Sequence, residues 1–457
     1  MRIIRIKFLV KSNRLMVKHI IVIDIVGLES RHISEETTPN IFKISKNGEI
    51  RDLQTVFPAV TCTVQSSLLS GSYPEIHGII SNGLYDRQHY SVSFWEQSSN
   101  LVQADRIWDT IKMHQNGSKT AVLFWQNTMY SNADLVLTPR PLHMDDKMIM
   151  WCYSKPPGFY EKLFEKIGKF DLTSYWGPFV SKKSSEWIEM ATEYVLENEK
   201  PNFLFTYIPH LDYSFQRKGI SYKELKDDLR FVDELVGKLM KKVSDLGMLE
   251  DTQFIIFSEY GFTDVNSDIP LNSILRENDL VAVREIEGLE YLDLEYSKAF
   301  AMVDHQVAHI YVKENYASQV RKILEGIKGI DMILNNNLKQ QFRVNHPRSG
   351  DMIAVSNKDK WFSYYWWFDQ LKAPSFSRRV DIHRKPGYDP VELFFDPNTK
   401  SIPLNGKLVK GSHGRLPTQG QSSNPVFVSN IRNIDGMRDG NDLSVVTIGR
   451  YLKNMIS

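Results

Sequence analysis

The sequence predicts an α/β fold in which a mostly parallel central sheet carries helices on both faces. Short apolar segments alternate along the chain with amphipathic segments, and this alternation is typical of doubly wound sheets. The apolar segments are nearly continuous, as expected of strands that are buried on both faces. Four segments show this pattern: HIIVIDIV (19–26), TAVLFW (120–125), NFLFTYI (202–208) and QFIIF (253–257).

Two segments between these strands predict amphipathic helices. In the first, apolar residues recur at steps of three and four, which places them on one helical face. Its members are Leu225, Leu229, Val232, Val236, Leu239 and Val243. Residues 186–199 show a similar pattern, in which the inward residues are Trp187, Met190, Tyr194 and Val195.

The predicted domain organisation is simple. We expect residues 1–15 to form a disordered N-terminal extension, because charges interrupt their apolar residues. Residues 16–457 are predicted to form a single α/β catalytic domain. Within approximately 265–380 the alternation is less regular and includes the aromatic run WFSYYWWF (361–368), so we interpret this region as a cap or insertion.

Composition excludes several classes of partner. The chain has 457 residues, a formal net charge of +1 and only two cysteines, Cys62 and Cys152. A near-neutral charge gives no attraction to polymeric nucleic acid or to acidic membranes, and no apolar run is long enough to span a bilayer. Two cysteines build no disulfide framework, which favours a reducing compartment. We therefore expect a cytoplasmic protein.

Three acidic residues lie at or just after predicted strands. They are Asp24, Asp212 and Glu259. In open α/β sheets ligands bind outside the carboxyl ends of the strands, and converging carboxylates repel each other unless a cation lies among them. Together with His413 in the loop GSHGR, they indicate a site for divalent cations. The alternative is that each acid only caps a following helix.

Thr61 lies in VTCTV (60–64), where a helix is predicted to begin. A helix start offers free N–H groups and a partial positive charge, which favour an anion. Close to a metal, a hydroxyl at this place can lose its proton and attack an electrophile, with phosphorus favoured. The alternative is that Thr61 or Thr63 only caps the helix.

The stretch SGSYPEIHGI (70–79) and the acids at the strand ends together resemble the alkaline phosphatase superfamily. Within it, the chain is most similar to the type I phosphodiesterase/nucleotide pyrophosphatase family, over residues 17–265 and the loop around His413. The resemblance implies an alkaline-phosphatase-like fold. It also implies that Thr61 is the nucleophile and binds a metal, that Asp24 is a metal ligand, and that Asn82 holds a phosphate oxygen.

The sequence departs from the family pattern at two metal ligands. The family has a His four residues after the Asp that matches Asp212, where this chain has Gln216. The family also has Ser-Asp-His-Gly where this chain has Ser-Glu-Tyr-Gly, so that Glu259 and Tyr260 replace an Asp and a His. The resemblance implies two divalent ions (Zn²⁺, Mn²⁺ or Mg²⁺), but the departures leave three possibilities. The site holds a harder metal, holds one metal, or recruits His from elsewhere.

Other segments offer replacement ligands. The segment MVDHQVAH (302–309) contains Asp304 and His305, of which a strand would direct at most one toward the metals. The segment VDIHRKPGYDP (380–390) contains Asp381 and His383, which would share a face if the chain were extended. His210 lies two residues before Asp212. We take His305 and His383 as candidate metal ligands. The following are candidates either for substituted ligands or for groups that hold the ligands in place: Asp304, Asp381, His210, Gln216 and Tyr260.

These observations predict metal-dependent hydrolysis of a small phosphorylated substrate, a phosphodiester or a nucleotide-like pyrophosphate, through a Thr61 phospho-enzyme. Aromatic residues near the mouth are candidates for stacking on a base: Tyr85, Tyr90, Phe94, Trp95 and the 361–368 run. Two alternatives stay open. One is a phosphomonoester or phosphonate hydrolase of the same superfamily, and the other is a non-catalytic relic that binds a nucleotide or metabolite.

Overall fold

The structure is a computed structural model that describes residues 17–114, 117–145, 148–417, 424–432 and 443–455. The predicted extension over residues 1–15 lies outside the described residues. The strands are β1 (His19–Ile25), β2 (Glu49–Asp52), β3 (Gly83–Asp86), β4 (Ser91–Phe94), β5 (Thr120–Leu123), β6 (Leu135–Pro139), β7 (Leu142–His143), β8 (Met148–Ile149), β9 (Cys152–Lys155), β10 (Phe203–Ile208), β11 (Thr252–Phe257), β12 (Thr263–Asp264), β13 (Ser267–Pro270), β14 (Ala282–Ile286), β15 (Leu289–Asp293), β16 (Ala299–Asp304), β17 (Val307–Val312), β18 (Ile330–Leu334), β19 (Met352–Ser356), β20 (Lys360–Ser363), β21 (Gly411–Ser412) and β22 (Val426–Ser429). The helices are α1 (Pro39–Asn47), α2 (Thr61–Ser70), α3 (Pro74–His77), α4 (Ile107–His114), α5 (Phe159–Ile167), α6 (Lys182–Glu199), α7 (His210–Lys218), α8 (Leu225–Asp245), α9 (Leu271–Glu277), α10 (Ala317–Gly326), α11 (Asn336–Gln341) and α12 (Val445–Asn454).

The central sheet has the order β2-β22-β11-β1-β10-β5-β6-β9. Its middle strands, β11-β1-β10-β5-β6, are parallel, whereas β22, β2 and β9 pair antiparallel at the two edges. The four predicted strands are the four neighbours β11, β1, β10 and β5, each fully or almost fully buried. The predicted fold class is therefore confirmed, and its alternation of strands and helices follows from burying both faces of the sheet.

Two groups of helices cover the sheet. In one, α8 packs against α1, α6 and α7, and α6 contacts β10. In the other, α2 packs against α3 and α12, and α12 contacts α4. Both predicted amphipathic helices are present, as α6 and α8, and their other predicted inward residues join or pack against the main core. The prediction that Met190 of α6 points inward is wrong, since this side chain is exposed.

A second apolar core surrounds a smaller antiparallel sheet of order β16-β17-β19-β18. This sheet lies within 265–380 and is regular, although the sequence pattern there is not. That the segment is an insertion into a single catalytic domain remains our prediction. The turn between β16 and β17 is formed by His305 and Gln306, and it reaches the loop that carries His413, whose carbonyl accepts the Gln306 N–H at 2.9 Å.

None of the helices in the described ranges has both the length and the apolar composition that crossing a membrane requires.

Candidate active site

The three acidic residues converge at the carboxyl ends of the central strands. Asp24 is the penultimate residue of β1, and its register partners are Tyr207 of β10 and Phe257 of β11. Glu259 follows β11 by two residues, and Asp212 lies in the first turn of α7, directly after β10. All three are buried. The parallel sheet thus brings together residues that are far apart in sequence, as the strand-end pattern predicted.

Thr61 is the first residue of α2, at the edge where the acids meet. Its Oγ1 lies 2.9 Å from the hydroxyl of Tyr260. The residue before the helix is Val60, and no side chain caps this end, so the alternative in which a threonine serves only as the cap is wrong here. Thr63, two residues further along α2, is buried, and its hydroxyl has no hydrogen-bond partner within the described part of the chain.

Asp24 and Glu259 form one half of the acidic cluster. Asp24 Oδ2 accepts a hydrogen bond from Gln65 Nε2 at 3.2 Å. Asp24 Oδ1 and both carboxylate oxygens of Glu259 are buried and have no partner among the described residues. Burial raises the pKa of both carboxyls, and for Asp24 the neighbouring charge of Glu259 raises it further. This half of the cluster therefore favours a positively charged occupant.

Asp212 forms the other half and is bonded to neutral donors. Gln216 Nε2 donates to Asp212 Oδ2 at 2.7 Å, and the Tyr260 hydroxyl donates to Asp212 Oδ1 at 3.4 Å. Burial raises the pKa of Asp212 to about 8, and the charge of Glu259 acts in the same direction, whereas the two hydrogen bonds lower it. Among the described residues, the one basic side chain within 4 Å of any of the three acids is His413, whose Nε2 lies 3.8 Å from Asp212 Oδ1 and would form an ion pair only if it were protonated.

Two imidazoles stack beside this half. His413 Nδ1 lies 2.8 Å from the carbonyl of Ala59, which can only accept, so Nδ1 carries the proton. The Tyr260 ring lies parallel to the His413 ring, with 3.6 Å between the ring centroids. The centroid of the His305 ring lies 3.7 Å from that of the His413 ring. Burial lowers the pKa of both histidines, so both are neutral, and each leaves its Nε2 without a partner among the described residues.

Asp304 organises the neighbouring loop instead of binding a metal. Its Oδ2 accepts from the Ser81 hydroxyl at 2.6 Å and from the Asn82 N–H at 2.8 Å. Its Oδ1 accepts from Asn82 Nδ2 at 3.1 Å and from His305 Nδ1 at 2.7 Å. His305 lies in a turn with φ of 58°, so the alternation of a strand does not apply to this pair. That at most one of Asp304 and His305 faces a metal stays a prediction.

Asn82 is fixed beside the start of α2. Its Oδ1 accepts the N–H of Cys62 at 2.9 Å, the second residue of α2, and one Nδ2 hydrogen goes to Asp304. The other Nδ2 hydrogen is the one that could bind a phosphate oxygen.

We predict that Asp304→Asn lowers the free energy of unfolding by about 2–4 kcal/mol, because an amide cannot accept from all four donors that the carboxylate now satisfies. Urea unfolding followed by circular dichroism measures this. The matched control is Asp86→Asn, an exposed aspartate that also accepts several hydrogen bonds, for which we expect a loss below about 1 kcal/mol. Equal losses in the two variants would contradict the prediction.

Three of the sequence candidates lie away from the acids. His383 is exposed, and its Nδ1 lies 3.3 Å from the carbonyl of Phe94. Asp381 forms an ion pair with Arg384 in a turn, so the extended Asp-x-His pair predicted from the sequence is wrong. His210 Nε2 bonds to Asp228 Oδ1 at 2.8 Å instead of facing the cluster.

A cavity of 1020 Å³ opens from the site. Thr61, Asp212, Tyr260 and His305 line its inner end, and the exposed Arg140, Arg379 and Arg384 lie along it. Aromatic walls come from Trp95, Tyr175, Trp176, Tyr207, Tyr213 and Tyr388. Of the aromatic candidates in the sequence, only Trp95 lies here. Tyr85 packs against Phe300 and Tyr311, and the run 361–368 is mostly buried in the second core.

The sequence reasoning missed Gln65 and Tyr388. Gln65 connects Asp24 to the backbone of Gln126. Its Nε2 donates to Asp24 Oδ2 at 3.2 Å, and its Oε1 accepts the Gln126 N–H at 2.7 Å. Its position one helical turn after Thr61 was a usable signal, since residues four apart share a helix face. Tyr388 stacks on His305 at 3.7 Å and donates to Gln216 Oε1 at 2.8 Å. No sequence pattern marks it.

The residues fit a metal only in part. Within the described ranges, no group of three or more His, Cys, Asp or Glu side chains is arranged to hold a metal ion. Asp24 and Glu259 nevertheless present unpartnered buried oxygens beside the Thr61 hydroxyl, and an all-oxygen set of this kind suits one hard divalent cation. The Asp212 half fits poorly, since neutral donors already bond both of its oxygens.

Comparison with known proteins points in one direction. A family model described as type I phosphodiesterase / nucleotide pyrophosphatase matches residues 20–389. The bis(5'-adenosyl)-triphosphatase ENPP4 of Pongo abelii is 24% identical over 251 residues, which are 54% of this chain and 48% of that protein. The corresponding protein of Mus musculus is 25% identical over 305 residues, 63% of this chain and 58% of that protein. The chain thus spans less than two thirds of the length of either relative.

Two solved structures share the fold. An inactive murine ectonucleotide pyrophosphatase / phosphodiesterase 5 in complex with AMP superposes with a TM-score of 0.59 at 14% identity, over 96% of this chain and 95% of that chain. Phosphonoacetate hydrolase from Sinorhizobium meliloti 1021, in complex with phosphonoformate, gives 0.61 at 16% identity over 97% of both chains. At such low identity the similarity concerns the fold.

Proposed function

Because this chain belongs to the type I phosphodiesterase / nucleotide pyrophosphatase family, we propose that it hydrolyses a phosphodiester or pyrophosphate bond in a small nucleotide-like substrate. The observation that carries the proposal is the position of the Thr61 hydroxyl. It begins a helix of ten residues, lies beside three buried carboxylates and lines the inner end of a large aromatic cavity. Metal dependence and a Thr61 phospho-enzyme are parts of this proposal.

The reaction proceeds in two displacements. Thr61 Oγ1 attacks phosphorus, the bond from phosphorus to the leaving oxygen breaks, and that oxygen takes up a proton. Water then breaks the phosphothreonine ester and restores the hydroxyl. The contacts of Thr61 with Tyr260, and of Tyr260 with Asp212, offer its proton a route to a carboxylate.

The surrounding groups bind the phosphoryl oxygens. The start of α2 presents N–H groups and a partial positive charge toward them, and the free Nδ2 hydrogen of Asn82 donates to one of them. Asp304 holds the Asn82 amide in this orientation. A divalent cation, when bound by Asp24, Glu259 and Thr61, supplies positive charge that lowers the pKa of the hydroxyl and stabilises the phosphoryl group.

Two features support a nucleotide-like substrate. The cavity walls are aromatic, and aromatic rings stack on any base. Among the similar structures, one contains AMP, and among the relatives, ENPP4 is named for a bis-adenosyl substrate.

Cys62 and Cys152 are buried and form no disulfide, and a reducing, cytoplasmic location stays part of the proposal.

We predict that, with Mn²⁺, Mg²⁺ or Zn²⁺ supplied separately, the protein hydrolyses bis(para-nitrophenyl) phosphate at least about ten-fold faster than para-nitrophenyl phosphate, since the deep cavity accommodates a second ester group. Release of nitrophenol measures both rates. Preference for the monoester, or turnover of phosphonoacetate instead, would favour the alternative hydrolases. AMP binding without any turnover would favour the non-catalytic relic.

A further inference from the structure

The three buried carboxylates differ in how far the protein itself satisfies them. Both oxygens of Asp212 accept hydrogen bonds, from Gln216 Nε2 at 2.7 Å and from the Tyr260 hydroxyl at 3.4 Å. Asp24 Oδ1 and both oxygens of Glu259 make no hydrogen bond of suitable geometry among the described residues, although both side chains are 0% exposed. The polar groups near the Glu259 carboxylate are those of Asp24, Thr61, Gln65 and Tyr260. Buried charged oxygens without partners are costly, so the two halves differ in their need for a cation.

The neutral donors beside Asp212 are themselves held in place. Gln216 Oε1 accepts from the Tyr388 hydroxyl at 2.8 Å, which orients the amide nitrogen toward Asp212. The Tyr260 ring lies on His413 at 3.6 Å with an interplanar angle of 6°, and its hydroxyl lies between Thr61 and Asp212. A cation shared by Asp212 and His413 would have to displace these two hydrogen bonds. Among the described residues, the unpartnered atoms on this side are Nε2 of His413 and Nε2 of His305. Both belong to neutral imidazoles, which favour a cation less strongly than three carboxylate oxygens do.

We propose that this chain binds one divalent cation, between Asp24 and Glu259 beside Thr61, and that Tyr260 and Gln216 fill the position of a second. The inference deepens the proposed function and rests on it for the cation's role, but the number of cations is independent of turnover. Because the donors are all oxygens, the cation is a hard one, and Mn²⁺ is the appropriate probe.

The first test counts Mn²⁺ bound to the full chain without substrate, by equilibrium dialysis with elemental analysis and by electron paramagnetic resonance. We expect one Mn²⁺ per chain. Asp24→Asn, nearly isosteric, should weaken its affinity by at least about 100-fold, because it removes a charged ligand. The matched control, Asp212→Asn, should retain one Mn²⁺ with an affinity within about three-fold of the unmodified chain.

The second test rebuilds the missing position. The double variant Tyr260→His, Gln216→His places two imidazoles beside Asp212 and His413, a donor set that suits Zn²⁺. We expect this variant to bind one Zn²⁺ more than the unmodified chain. Circular dichroism verifies that the variants fold, and the count on the unmodified chain decides the question even if the double variant does not.

Two Mn²⁺ per unmodified chain, or none, would overturn the inference. So would loss of the ion in Asp212→Asn together with its retention in Asp24→Asn. A chain that binds one Mn²⁺ through Asp24 but hydrolyses none of the esters would support the inference while contradicting the proposed function. Hydrolysis by a chain that binds two ions would do the reverse.

Discussion

Thr61→Ala is expected to lower the rate of phosphodiester hydrolysis by at least about 10³-fold, because the proposed reaction loses the oxygen that attacks phosphorus. The expectation follows from the position of the hydroxyl at the start of α2, 2.9 Å from Tyr260 and at the inner end of the cavity. Steady-state release of nitrophenol from the diester measures the effect. Mn²⁺ binding should persist through Asp24 and Glu259, which separates loss of the nucleophile from loss of the cation.

Thr63 provides the matched control for this experiment. It lies in the same helix, is fully buried, and its hydroxyl has no hydrogen-bond partner among the described residues. Thr63→Ala should therefore keep the hydrolysis rate within a few-fold, whereas Thr61→Ser should retain a measurable rate because it keeps the hydroxyl. Near-normal hydrolysis by Thr61→Ala would remove Thr61 from its proposed role.

The convergence of the acids was predictable because it depends on topology. Asp24, Asp212 and Glu259 each occur at or just after a nearly continuous apolar segment, and parallel strands bring their carboxyl ends to one edge. Burial on both faces predicts that these segments are strands of a parallel sheet, whereas their order as neighbours, β11-β1-β10-β5, comes from the structure. Thr61 was predictable for the same reason, since α2 begins at this edge.

The arrangement of side chains within the site was less predictable. Tyr260 lies where the family resemblance implies a metal ligand. Its hydrogen bonds to Thr61 and Asp212 could not be predicted from the sequence. That geometry depends on stacking against His413, which is 153 residues away along the chain. Likewise, interpreting MVDHQVAH as a strand gives no sign of the two-residue turn that the structure places at His305 and Gln306.

Residues 379–388, several of which line the cavity, are held by a buried charge cluster. Lys385 Nζ lies 2.8 Å from Asp389 Oδ2 and 2.6 Å from Glu392 Oε1, and all three side chains are at most 2% exposed. Burial lowers the pKa of Lys385, but the two carboxylates more than offset this, so that its pKa is raised and the amine stays charged. Glu392 also accepts from Trp176 Nε1 at 2.6 Å, which ties the cluster to the cavity wall.

Lys385→Met is accordingly expected to lower the free energy of unfolding by about 3–5 kcal/mol, because it leaves two buried carboxylates without a counter-charge. Urea unfolding measures the loss. The neighbouring Arg384→Met is the control, since Arg384 pairs with Asp381 at the surface, where such pairs contribute at most about 1 kcal/mol. Arg384→Met should therefore leave the free energy of unfolding nearly unchanged. Because Tyr388 belongs to the same segment as Lys385 and bonds to Gln216, Lys385→Met should also weaken hydrolysis. A loss of stability in Lys385→Met no larger than in Arg384→Met would mean that the carboxylates find other partners or take up protons.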